Sequence, residues 1–480
     1  MKILLVNPIV DFFSPKESLF PYTSMGLLYL AAIAEKMGHE VKIKNCHYSN
    51  FKKIISKIKP DIVGITCYTI QYNQAKKIAE ITKKYDKRII TIVGGHHPTF
   101  TWHRTLEETD VFDYICVGEG ENTFKEFLEN VSDREKIKKI KGLALKENEE
   151  IVFTGERELV LDLDSIPFPA RHLINFSVPV IITSRGCFNN CKFCTIRSFY
   201  KNKHRRRNIG SIIDEILLLK NNGYKKIFIA DDNFITDKES FFNFCDGIKK
   251  AGLDGIEFEV ASDPKSLFDD DVLSSLEKIN VRKIGVGIQS TIDEFREYLG
   301  LTSDYDFVKN FFEKIKKHNF DIWCFFIVNS GYRDEKMEQI KENIYKFCRL
   351  LASSGGKARF FTGLNILIPF PGTFIEKDFI KRGIKMDLSW SLYRFDFCTY
   401  EYNDVNEKNL VEIINGAQKK FFPFKKMLGD IKTTDFMRSV FLSNIDFFVK
   451  LKIISIFIFF VYFAGRSKHQ TMRFICEKYL

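Results

Sequence analysis

No low-complexity tract or polar tail interrupts the 480 residues, and a hydrophobic share of 45% with scattered charge is that of a globular protein. The chain is too long for one core, so two or three domains are expected. Behind the first apolar run, residues 3–6, stands no small-residue cleavage pattern, and no secretion signal is expected. No Gly-x-Gly-x-x-Gly follows that run either, which disfavours a nicotinamide site. Cysteines do not come in pairs. There are eleven, an odd number scattered singly outside one loop, which argues against disulfides and for a reducing, cytoplasmic setting. The basic run 201–207 has no interleaved aromatics, so nucleic-acid binding is not expected. It reads as a solvated loop that draws in an acidic substrate or a reductant. The net charge of +11 favours anionic partners without choosing among them.

What is present is concentrated in that loop, where Cys187, Cys191 and Cys194 stand within Cys-Phe-Asn-Asn-Cys-Lys-Phe-Cys. Three soft thiolates at this spacing can wrap one metal centre and leave an iron of a cubane cluster without a protein ligand. A zinc site would want a fourth Cys or His; the nearest, His204, lies inside the basic run. An inert buried loop is the other alternative. The apolar run 178–182 reads as a buried strand, which puts the thiolates at its carboxyl end. Active sites of parallel α/β barrels collect there.

Cys-x-x-x-Cys-x-aromatic-Cys after a first barrel strand resembles the radical S-adenosylmethionine (SAM) superfamily. The resemblance implies a 4Fe-4S cluster on the three cysteines whose free iron chelates the amino and carboxylate groups of SAM. It also sets Phe193 against the adenine, although an aromatic there serves equally as a core filler.

Residues 1–150 alternate short apolar runs (3–6, 41–43, 62–67, 89–93, 114–117) with helical patterns at 26–37, 71–85 and 121–129. That predicts a doubly wound parallel sheet, flavodoxin-like in kind, with its ligand crevice at the carboxyl ends of the strands. The candidate crevice residues are Asn7, Thr69, Gly94, Gly95, His96, Gly118, Glu119 and Gly120. Four phrases carry a further resemblance: Thr23-Ser24-Met25-Gly26-Leu27-Leu28-Tyr29-Leu30, Lys59-Pro60-Asp61-Ile62-Val63-Gly64-Ile65, Gly-Gly-His-His-Pro-Thr at 94–99 and Gly118-Glu119-Gly120-Glu121. They are similar to the cobalamin (vitamin B12)-binding domain that precedes the barrel in one radical SAM branch. The Asp-x-His-x-x-Gly signature of histidine-ligated cobalt is missing after the first strand, so His96 and His97 are weak ligand candidates.

Residues 151–177 form a linker, with paired prolines in Asp162-Leu163-Asp164-Ser165-Ile166-Pro167-Phe168-Pro169-Ala170-Arg171. From 178 to 385 strand and helix patterns alternate six times, with strands at 178–183, 226–230, 256–261, 283–288, 321–328 and 359–368. A partial six-unit barrel is the expectation. By resemblance, the turn Asp231-Asp232-Asn233 holds the methionine amine of SAM, although Asp232 or Asn233 could also cap the next helix. Glu259, Ser262 and Gln289 resemble its ribose and carboxylate contacts, and Asn329 lies in the loop that resembles the adenine contact. Leu367-Ile368-Pro369-Phe370-Pro371-Gly372-Thr373 matches the family phrase after the last strand.

Residues 386–480 are expected to be helical. The run 447–465 is rich in apolar residues, but its uninterrupted part, 453–464, is short for a bilayer span. Flanking Lys450, Lys452, Arg466 and Lys468 suit an interfacial helix, and burial against the barrel is the rival.

The resemblance implies a cobalamin-dependent radical SAM enzyme, served by an external one-electron reductant of flavodoxin or ferredoxin type. An electron on the cluster would split SAM to a 5'-deoxyadenosyl radical, and an organic substrate, lipidic or isoprenoid by the hint of the Phe-rich tail, would collect a methyl group from methylcobalamin. A cyclase or oxygenase with the same cofactors and no methyl transfer is the nearest alternative. A non-catalytic cobalamin or redox sensor is another.

Overall fold

The computed structural model describes residues 1–10, 24–395 and 397–421. Its first sheet is built from β1 (Lys2–Pro8), β2 (Glu40–Cys46), β3 (Ile62–Thr66), β4 (Ile90–Gly94), β5 (Tyr114–Cys116), β6 (Leu143–Glu147) and β7 (Glu150–Phe153). The spatial order is β2-β1-β3-β4-β5-β6-β7, and the first five strands run parallel. Side chains alternate across β1: Leu4 and Val6 pack under helices Tyr48–Ile58 and Tyr72–Tyr85, while Ile3 and Leu5 pack under Met25–Lys36 and Glu121–Asn130. Both faces are covered, which is why these strands read as continuous apolar runs. The order reverses between β1 and β3, where a crevice opens at the strand ends.

Two antiparallel strands, β6 and β7, extend the sheet beyond the five expected. Their two-residue turn, Asn148 and Glu149, has positive φ at both positions, 48° and 67°, the backbone of a tight hairpin. Lys146-Glu147-Asn148-Glu149-Glu150 is too polar to announce strands, so the sheet ends at Phe153 and not at the boundary of 150 read from the sequence. The linker then lies along the first domain: the Ala170 amide donates to the Leu28 carbonyl at 3.0 Å, and Ile166, Leu173 and Phe176 join that core.

The second sheet takes β8 (Val180–Ile181), sends out a small antiparallel ribbon of β9 (Ser184–Arg185) and β10 (Arg205–Arg206), and continues with β11 (Lys226–Ile229), β12 (Glu257–Ser262), β13 (Val281–Gln289), β14 (Asp321–Ile327) and β15 (Arg359–Asn365). All six main strands are parallel in the order β15-β14-β13-β12-β11-β8, with helices packed along them. This is the partial barrel the sequence predicts.

Beyond it the expected helical region opens instead with an antiparallel strand pair, β16 (Lys385–Met386) and β17 (Tyr400–Glu401), around a short turn, Trp390–Leu392. Trp390 and Tyr393 reach back into the core of the first domain, so this segment ties the two sheets together. A helix, Glu407–Phe421, follows and packs on Met337–Ser353, where Tyr345 and Phe421 stand 5.3 Å apart. The apolar run 447–465 lies outside the described residues. Among the described residues, no helix is long and apolar enough to cross a membrane.

Candidate active site

The cysteine loop leaves β9 through Gly186, whose φ is +94° and where a Cβ would stand 2.1 Å from the Lys203 carbonyl oxygen. Only glycine fits there. On the other side the Lys192 amide donates to the Leu299 carbonyl at 2.9 Å, and Gly300 lies tight against the Asn190 carbonyl. The loop is thus held between two segments of the barrel rim, with its sulfurs turned to the strand ends. Seven other free cysteines are buried; among the described residues Cys187, Cys191 and Cys194 alone are partly open. Burial pushes the Cys191 thiol up to about 12, and the neighbouring sulfurs of Cys194 and Cys187 add to it. Burial also raises Cys194 to about 11, followed by the charges of Asp232 and Cys187. Sulfurs that repel one another as thiolates converge on one place, and a cationic centre reverses that penalty. This donor set fits a cluster. Among the described residues no three His, Cys, Asp or Glu side chains close on a single metal ion. Phe193 is half-buried against the barrel core.

Beside the loop, the two adjacent aspartates have opposite fates. Asp231 accepts from the amides of Thr183 and Ser184 at 2.7 and 3.1 Å and from the Ser184 hydroxyl at 2.7 Å, with the Thr183 hydroxyl as a fourth donor. Its lone pairs are spent on stapling the loop after β8. Among the described residues, Asp232 accepts a single hydrogen bond, from the Gly186 amide at 2.8 Å. Burial, opposed by that amide and reinforced by Asp231, pushes its pKa up to about 6. Asn233 is bound to the end of β12: it accepts from the Ser262 hydroxyl at 2.9 Å and donates to Asp263 at 2.7 Å. Glu259 is paired with Lys283 on β13 at 2.6 Å, lower on the strand. Gln289 sits at an irregularity in β13 with φ of 63° and folds its amide over Gly287. A non-glycine residue held there is the kind of strain that gathers at functional sites. Asn329 is fully buried, donating to the Tyr400 hydroxyl at 2.7 Å and accepting from the Leu367 amide at 3.2 Å. It braces the carboxyl-terminal strand pair.

Across the crevice the first domain presents its strand ends. Asn7 links Asn45 and Gln71, at 3.2 and 2.9 Å, and Thr69 is buried against His97. A Cβ at Gly95 would strike the Cys67 carbonyl at 2.8 Å, and one at Gly94 would crowd Cys116 at 3.3 Å, so both let backbones close on each other. Gly120 touches Leu30 and Cys116. Gly118, at φ of +86°, faces open space. Tyr68 keeps 52% of its surface exposed, yet surrounding protein, and after it the Asp232 carboxylate, hold its hydroxyl protonated. An open phenol ring at one strand end and a bare glycine at another fit a large planar ligand such as cobalamin.

The histidines are otherwise employed. His96 is stacked between Tyr68 and Phe199, with ring centroids at 5.4 and 4.3 Å, and burial pushes its pKa down to about 4. His97 is fully buried between Tyr72 and Trp390.

Glu119 is engaged within the protein. It is 8% exposed, bonded to Arg185 at 2.8 Å and to Arg205 at 2.8 and 3.0 Å, and it accepts the Val160 amide at 2.9 Å. Glu121 takes the other arm of Arg185 at 2.6 Å. Burial opposes these charges, but the bonds from Arg205 and Arg185 outweigh it and hold Glu119 below the usual carboxylate range. The two glutamates of the Gly-Glu-Gly-Glu loop therefore lock the first domain to the barrel. The basic run 201–207 is the expected solvated loop only in its first half: residues 201–203 are exposed, whereas Arg205 and Arg207 are buried, the latter paired with Glu215 and Asp164. Arg185, Arg205, Glu121 and Tyr68 went unassigned in the sequence; two glutamates and a dense basic run were the one visible signal.

Residues 17–128 match the B12 binding domain family, and residues 181–344 match the radical SAM superfamily. An uncharacterized methyltransferase of Pyrococcus horikoshii is 29% identical over 446 residues, covering 89% of this chain and 94% of that one. Cytidylyl-2-hydroxyethylphosphonate methyltransferase of Streptomyces wedmorensis is 25% identical over 478 residues, 85% of this chain and 86% of that one. The fold resembles OxsB, a cobalamin-dependent S-adenosylmethionine radical enzyme solved with aqua-cobalamin and SAM bound, at a TM-score of 0.69 and 14% identity, over 99% of this chain and 75% of that one. With both domains matched in this order, the chain is an enzyme of the radical SAM superfamily, in the branch with an amino-terminal cobalamin-binding domain, and its cofactors are a 4Fe-4S cluster, SAM and cobalamin.

Proposed function

We propose that the protein is a C-methyltransferase acting on an unactivated carbon of an organic substrate. One observation carries the reading: the cysteine loop meets the strand ends of the first domain, where Thr195, next to Cys194, stands 3.4 Å from His96, His96 stacks on Tyr68, and the spare carboxylate of Asp232 is close enough to act on the Tyr68 hydroxyl. A radical generator and a methyl donor must both reach one carbon, and the shared crevice supplies that proximity. Two relatives that span most of this chain are named methyltransferases, which supports the same choice.

Cys187, Cys191 and Cys194 would hold the cluster. Asp232 would pair with the ammonium of SAM, with Phe193, Asn233, Ser262 and Gln289 around the rest of it. Asn7, Thr69, Gly94, Gly95, Gly118 and Gly120 would shape the cobalamin crevice, with His96 as part of its wall. When bound, the cluster and SAM supply a carbon radical and cobalamin supplies the methyl group. The chain's own share is to hold the two domains in register, through the buried Glu119 and Arg185 lock, and to keep water from the crevice. An external one-electron carrier must feed the cluster.

Anaerobically reconstituted protein, given reductant, methyl-labelled SAM and a small-molecule extract of its host, should release both 5'-deoxyadenosine and S-adenosylhomocysteine with a labelled product. 5'-Deoxyadenosine without S-adenosylhomocysteine would replace this reading with a ring closure or oxygen insertion.

A further inference from the structure

We infer that the solvent face of the cysteine loop is the docking surface of an acidic one-electron carrier protein, centred on Phe188 and ringed by Lys192, Lys203 and Lys265. Phe188 directly follows Cys187 and keeps 65% of its surface exposed, the most open aromatic ring among the described residues. It leans only on the edge of His204, at 5.1 Å. Nothing in the fold requires an apolar ring at this tip, and such a ring in a polar surround is the core of a protein interface.

The surround is cationic. Lys203 is exposed beside Gly186, where its carbonyl meets the loop. Lys192 extends over Tyr298 and the exposed Phe374, at 5.5 and 5.0 Å. Lys265 is exposed and donates to the Thr302 carbonyl at 2.9 Å, two residues from Gly300, which abuts Asn190. None of these three lysines has a carboxylate partner among the described residues. Their neighbours differ: Lys201 is paired with Glu156, and Arg205 and Arg207 are buried in ion pairs. Unpaired cationic charge therefore gathers at the rim of this loop, where it would steer an acidic partner and orient it.

The position selects the kind of partner. The loop carries the three cysteines proposed to hold the cluster, so a carrier seated on the exposed Phe188 stands one residue from Cys187. One electron leaves the carrier's flavin or iron–sulfur centre and enters the cluster; no proton or group moves. This inference rests on the proposed function for the presence of a reducible cluster.

The test is stopped-flow reduction of the reconstituted full-length protein, followed by bleaching of the cluster absorbance, with flavodoxin hydroquinone as one donor and dithionite as a docking-independent donor. The double variant Lys203→Glu with Lys265→Glu should slow the flavodoxin reaction about tenfold or more at low salt, converge with the parent at high salt and leave the dithionite rate unchanged. Phe188→Ser should slow the flavodoxin reaction at every salt concentration. Flavodoxin rates that ignore both substitutions would overturn the surface, as would competition by an oligonucleotide stronger than that by an acidic protein. A parent protein that dithionite cannot reduce would strike instead at the cluster and the proposed function.

Discussion

The two walls of the crevice use their polar residues in opposite ways. On the wall of the first domain, Glu119 and Glu121 are consumed by Arg185 and Arg205, and His96 and His97 are consumed by ring packing. On the barrel wall, three thiols and Asp232 keep unused capacity. The first wall offers bare glycine and an open tyrosine, surfaces for a bulky ligand held by shape, whereas the second offers ligands for a metal and a countercharge for an ammonium. Motifs of similar prominence in the chain therefore serve assembly on one side and chemistry on the other.

Substitutions that cross this division should break in different currencies. Cys191→Ala should cost nearly all cluster iron and all SAM cleavage while leaving the melting temperature of the cluster-free protein within a few degrees, read by iron analysis and calorimetry. Glu119→Ala should do the reverse, destabilising the protein by about 3–5 kcal/mol by leaving the buried Arg205 without a carboxylate and Arg185 with Glu121 alone, read by denaturant unfolding. The aspartate pair sharpens the contrast within one turn. Asp231→Asn should lower stability by about 2 kcal/mol, because an amide group would face donors. Asp232→Asn should be near neutral for stability yet weaken SAM binding about tenfold or more by loss of a charge-assisted bond, read by calorimetric titration. The smallest effect belongs to His96→Gln, at about 1 kcal/mol for a broken ring stack. Its cobalamin, reduced to the paramagnetic cobalt state, should give an electron paramagnetic resonance spectrum unchanged in nitrogen splitting; loss of such splitting would make His96 a ligand after all.

The cysteine loop was legible because its three ligands are local, and the parallel strands were legible because burial on both faces writes continuous apolar runs. Five strand positions in the first sheet and six in the barrel follow the apolar patterning within a few residues. Hairpin strands β6 and β7 escaped because the polar stretch 146–150 occupies their turn and adjoining ends. The roles of Asp231, Glu119 and Asn329 were hidden for a different reason: each is decided by partners 38 to 86 residues away. Chain spacing carries no record of such pairings. Asp231 and Asp232 are indistinguishable as letters, and only the closeness of the Thr183 and Ser184 amides separates a staple from a free carboxylate.

The methyl-transfer reading can be tested without knowing the substrate. Protein loaded with cluster and reduced cobalamin is mixed once, anaerobically, with SAM labelled in its methyl group. The account predicts about one equivalent of S-adenosylhomocysteine per cobalamin, with the label recovered on the bound cobalamin. Release of 5'-deoxyadenosine with no label on cobalamin would contradict it.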